Sequence, residues 1–131
     1  MNPVGVPSLP EVQAYVLRCA DILGVDCPVR VKRRDLPNTL WAICEHDGDN
    51  PRSVRIVYGP KLEGAGARTW RLTVAHELAH AHLRKLKAPL RSMAPRRGRS
   101  GFLAWYESAE EDVVEGLEPV LARLLPDPPW L

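Results

Sequence analysis

From Ala67 to Ala88 the chain carries neither proline nor glycine, although 13 prolines and 9 glycines interrupt the rest of its 131 residues. Leu72, Ala75, Ala79 and Leu83 lay an apolar stripe along this stretch at helical spacing, so it reads as a helix from Trp70 to Leu86, with Thr69 as its N-cap. The stripe fixes which way the helix faces and therefore what the remaining side chains can meet. His76 and His80 stand four residues apart in His76-Glu77-Leu78-Ala79-His80, which on a helix sets their Cβ atoms about 5–6 Å apart on one side. Two imidazoles so placed can bind one Zn²⁺, with Glu77 beside a metal-bound water.

Composition narrows the setting. A hydrophobic fraction of 45% over 131 residues supports one modest core, and nothing marks a domain boundary or a repeat, so residues 1–131 are expected to form a single domain. No run of 18 apolar residues occurs, and the N-terminus lacks a charged segment followed by an apolar one. The expectation is a soluble, cytoplasmic protein without a membrane partner. Cys19, Cys27 and Cys44 form neither a C-x-x-C pattern nor an even set, which fits small reduced core residues.

Along the chain, residues 1–8 read as an extended lead-in. Ser8 and Glu11 have the spacing of a capping box that opens a packing helix to about Leu23, with Gly24 as its stop. Pro28–Lys32, Leu40–Glu45 and Ser53–Tyr58 alternate as strands, the last two as an antiparallel hairpin whose edge can align an extended peptide. His46, at the hairpin's end, is weighed as a second metal residue against an ordinary solvated position. Pro60–Ala67 reads as a flexible loop. Residues 88–101 read as a basic loop or flap, within a stretch from Arg84 to Arg99 that has seven basic and no acidic side chains; a last helix is expected over Glu107–Leu125, with a break at Pro119, and a tail over 126–131. The fold expected is α+β, a minimal domain with a short antiparallel sheet packed against the His-bearing helix and an acidic C-terminal helix.

A catalytic zinc site needs a third protein ligand and an open position for water. The acidic last helix supplies the candidates. If Val113, Leu117, Val120, Leu121 and Leu124 mark its buried face, Glu110 falls near the centre of that face and becomes the third ligand; Glu107 lies at the margin as an alternative, and Glu111 is turned to solvent. Zn²⁺ lowers the pKa of its water toward about 7, so Glu77 can act as general base and then pass the proton to a leaving amine. That is peptide hydrolysis without a covalent intermediate.

Arg71-Leu72-Thr73-Val74-Ala75-His76-Glu77-Leu78-Ala79-His80 resembles the Arg-Phe-Thr-Leu-Ala-His-Glu-Leu-Gly-His of gluzincin-type metallopeptidases, within them the small ImmA/IrrE-like proteins of phages and bacteria. The preceding hairpin, Glu110-Glu111-Asp112-Val113-Val114 and Leu124-Leu125-Pro126 extend the resemblance over about residues 9–126. Ala79 stands where that family has Gly, and Val113-Val114 where it often has Ala followed by Asn or Asp, which removes a polar group that could orient a metal histidine. The resemblance implies a zincin-like fold and cleavage of one regulatory protein, typically a DNA-binding repressor. Two other readings stand beside it: an SprT-like protease that uses the basic stretch to reach DNA-bound proteins, and a zincin-fold module that binds a partner without cutting it. Oligomeric state is open.

Overall fold

The computed structural model describes residues 5–47, 50–84, 87–94 and 96–131. Residues 1–4 of the expected lead-in, Gly48 and Asp49 of the hairpin loop, and Lys85, Leu86 and Pro95 of the basic stretch lie outside the described residues.

Helix α1, Leu9–Ile22, opens on the expected capping box: Ser8 Oγ accepts from the Glu11 amide at 3.3 Å and Glu11 Oε1 accepts from the Ser8 amide at 3.0 Å. Its buried residues Val12, Tyr15, Val16, Cys19 and Ala20 follow the helical period, and Gly24 takes the left-handed conformation (φ 71°) that turns the chain away. Strands β1 (Val29–Arg33), β2 (Ala42–Asp47) and β3 (Asn50–Tyr58) form a sheet in the order β1-β3-β2. The β2–β3 hairpin is antiparallel as expected, but β1 runs parallel to β3, so the sheet is mixed. The antiparallel sheet expected from three successive strands fails because the chain leaves β1 for the far edge first. That makes β3 the central strand, and it is buried on both faces: Ser53 and Val57 are covered as fully as Val54, Ile56 and Tyr58.

Two loop assignments give way to helix. Pro60–Glu63 forms the short helix α2, with Pro60 at a first-turn position where its missing N–H costs nothing. Gly59 before it is required by close approach, since a Cβ there would lie 2.8 Å from Leu36 Cβ. The expected basic loop over 88–101 contains helix α4, Lys87–Met93, and the start of helix α5; Pro89 is tolerated in α4 because the first-turn amides have no intrahelical acceptor. Gly98 (φ 73°) then redirects the chain into α5, Arg99–Ala122, which starts eight residues before Glu107 and contains Pro119 without ending there. The metal-motif helix, α3, spans Ala67–Leu83 with Gly66 as N-cap, so Thr69 lies inside it.

The core lies between α1, the sheet and the start of α3. Trp70, fully buried, meets Tyr15 edge-on at 6.4 Å, Trp130 at 4.8 Å and Tyr58 at 6.1 Å between ring centroids. The tail over 126–131 closes this cluster: Tyr15 Oη donates to the Pro126 carbonyl at 2.8 Å and Pro128 is fully buried. Cys19 is buried while Cys27 and Cys44 are half-buried, all three as free thiols. No described helix is long and apolar enough to cross a membrane. The result is a small α+β domain in which α5 packs along α3, with β2 at the sheet's edge beside them.

Candidate metal centre

A cleft of about 340 Å³ opens where these three elements meet, walled by Ala42, Ile43 and Cys44 of β2, floored by His76, Glu77, His80 and Arg84 of α3, and closed by Glu107, Glu110 and Glu111 of α5. Arg84, counted at sequence level only as part of a basic stretch, ties two walls together: its Nη2 donates to the Cys44 carbonyl at 3.2 Å.

The spacing of His76 and His80 does what the helix requires. Their rings stand 4.9 Å apart, and both Nε2 atoms come within 3.0 Å of one carboxylate. That carboxylate is Glu111, with Oε1 3.0 Å from His76 Nε2 and Oε2 3.0 Å from His80 Nε2. Among the described residues, His76, His80 and Glu111 form the group whose ligand atoms all lie within 4.8 Å of one another and could hold a metal ion.

The expected register of α5 is therefore corrected. Of the residues read as its buried face, Val113, Leu117, Val120 and Leu124 are 49%, 42%, 56% and 60% exposed while Leu121 packs against the core; Val114, Ala122 and Leu125 are buried. The apolar part of the inward face is turned by about one residue, and Glu111, 45% exposed, joins the more buried Glu110, 11% exposed, in lining the cleft. Glu110 stays close but meets the other side of His80, its Oε2 3.4 Å from Nδ1, while Tyr106 Oη donates to its Oε1 at 3.5 Å. Glu107 lines the cleft without joining the trio. Glu118, absent from the sequence reading, places Oε2 3.1 Å from His76 Nδ1. Its signal was available: Glu107, Glu111, Val114 and Glu118 recur at i, i+4, i+7 and i+11. The side chain of His46 is not described; its backbone pairs with Val54 in the β2–β3 ladder.

Each imidazole thus faces a carboxylate at both nitrogens. A neutral imidazole has one N–H to donate, so its second nitrogen would turn a lone pair toward an anion. A cation held by Nε2 of each ring and Glu111 would remove that conflict. Two imidazoles and one carboxylate are also the donor set of a catalytic zinc site, so the residues present fit that ion.

Glu77 follows His76 on the same helix and is 7% exposed. Burial lifts its carboxyl to about 7; Glu111 and Glu118 push in the same direction, and the positive charges of His76 and Arg84 oppose them. Protein-family models, curated proteins and solved structures were compared with this chain, and none matches.

Proposed function

We propose that this protein is a zinc-dependent peptidase in which His76, His80 and Glu111 hold the metal and Glu77 is the general base. The observation that carries the reading is the single carboxylate of Glu111 lying 3.0 Å from Nε2 of both histidines. When bound there, Zn²⁺ would act as a Lewis acid toward a substrate carbonyl and toward water.

The chain's own residues supply the rest. Glu118 accepts from Nδ1 of His76 at 3.1 Å and Glu110 stands 3.4 Å from Nδ1 of His80, so each Nε2 is left to face the metal position and the rings have a carboxylate behind them. Glu77, buried beside His76, would take the proton of the attacking water and return it to the departing amine. Strand β2 has only one neighbour in the sheet, so its other edge offers main-chain groups along the cleft wall to an extended peptide. The resemblance to ImmA/IrrE-like peptidases points to a regulatory protein, such as a DNA-binding repressor, as substrate.

The test combines metal and activity. Zinc-loaded protein incubated with a proteome-derived peptide library should generate new N-termini, and Glu77→Gln should keep its zinc while generating none. Cleavage by Glu77→Gln at the wild-type rate would place the base elsewhere, and wild-type protein that binds no zinc would end the proposal. A module that binds without cutting would keep zinc and leave the library intact in both forms.

A further inference from the structure

A second, smaller cavity of about 140 Å³ lies between the first half of α3 and the end of α5, lined by Arg68, Arg71, Leu72, Pro119, Ala122 and Arg123. It shares no residue with the candidate metal cleft, and no acidic side chain lines it. Arg68 and Arg71 stand three residues apart on one face of α3, and Arg123 comes to them as the C-cap of α5.

Among the described residues, neither Arg68 nor Arg123 makes an ion pair or a side-chain hydrogen bond. Arg71 meets one acid: its Nε lies 3.3 Å from Asp127 Oδ1 without hydrogen-bond geometry, and that Nε is buried with no hydrogen-bond partner. Asp127 itself is 64% exposed and answers one of the three charges. Arg123 suits the negative end of α5. Arg68 does not suit its place: the first turn of α3 has no acid, Gly66 provides no side-chain cap, and the helix already presents its positive end there. A cation that opposes a helix dipole and shares a cavity with two others is a local rule broken without an evident structural gain, which is the pattern expected of a binding site.

We propose that this cavity binds a phosphoryl group. Guanidinium forks match phosphate oxygens in pairs, and an anion between the three arginines relieves their mutual repulsion. Leu72, Pro119 and Ala122 supply an apolar floor that limits screening. At roughly 30 Å³ per water molecule, the cavity has room for about five waters, which suits a small anion and not a polypeptide segment.

Calorimetric titration of the whole protein with inorganic phosphate, at ionic strength held constant with sodium chloride, should give saturable binding. Arg68→Gln and Arg123→Gln alter exposed side chains, so the fold should stand, and each should weaken binding about tenfold or more. Arg97→Gln, at an exposed position outside the cavity, should not change it. Glu111→Ala should bind phosphate as the wild type does, which separates this site from any phosphate held in the metal cleft. Methyl phosphate matching inorganic phosphate would identify a phosphate monoester as an accepted ligand; methyl phosphate failing while inorganic phosphate binds would identify the free ion. No saturable binding, or wild-type affinity in both cavity variants, would overturn the proposal.

Discussion

Glu118 reaches His76 on the nitrogen that Glu111 does not use: Nδ1 lies 3.1 Å from Glu118 Oε2 while Nε2 of the same ring lies 3.0 Å from Glu111. Val113 and Val114 offer His76 no polar group, and Glu118, one turn further on, does. Glu118→Ala should therefore lower zinc affinity about 10- to 100-fold without removing a ligand, and Glu118→Gln, which keeps an acceptor oxygen, should cost less. Competition against a chromophoric chelator measures both. Unchanged affinity in the alanine variant would show that the ring is held by packing alone.

The aromatic cluster makes the tail part of the core. Trp70→Ala should cost about 3–5 kcal/mol, because it empties a fully buried site that Tyr15, Tyr58 and Trp130 pack against. Removing residues 126–131 should also destabilise strongly, since Trp130 and the Pro126 carbonyl that accepts from Tyr15 leave together. Denaturant midpoints read both changes. A truncated protein as stable as the full chain would mean that the tail only rests on the surface.

Helix α1 and the β2–β3 hairpin were legible in the sequence because their signals are local: a capping box, a helical stripe, alternation on either side of a turn. The parallel pairing of β1 with β3 was not legible, because it is settled by which strand becomes central. Residues 88–101 misled for a different reason. Pro89, Gly98 and Gly101 each have a permitted place at a helix start, so their presence argued against helix interiors and not against helices.

Alkaline pH should weaken the fold through its buried thiol and phenol. Burial raises the Cys19 thiol to about 11, against about 8.5–9 in an unfolded chain. Between those values the unfolded state has lost the proton and the folded state keeps it, so stability is full below about pH 9 and falls by about 1.4 kcal/mol per pH unit up to about 11. Tyr15, raised chiefly by burial, acts in the same direction at higher pH. Chemical unfolding of wild type and Cys19→Ala at several pH values should show a shallower alkaline decline in the variant. Parallel curves would mean that the thiol ionises equally in both states.

The closeness of His76 and His80 could be read from spacing because both sit on one helix, four residues apart. The third position came from another helix, and there the usual signal inverts. Acids fill the face of α5 that meets α3, at Glu107, Glu110, Glu111 and Glu118, while Val113, Leu117, Val120 and Leu124 are left exposed. A stripe chosen by hydrophobicity therefore lands one residue off whenever a polar centre is what the helix packs against.

That one-residue difference can be measured directly. Glu111 is the carboxylate that meets Nε2 of both histidines, whereas Glu110 meets His80 at Nδ1 and Glu107 lines the cleft. Removing a ligand takes a charge and a bond from the metal; removing an orienting partner only loosens a ring, at about 10- to 100-fold in affinity. Glu111→Ala should accordingly lose zinc almost completely at micromolar metal, Glu110→Ala should bind about tenfold more weakly than wild type, and Glu107→Ala should bind nearly as wild type does. A chelator-competition series on the three variants at one pH ranks them. If Glu110→Ala suffered the largest loss, α5 would have to turn back by one residue in the metal-bound protein, and Glu110 would be the ligand after all.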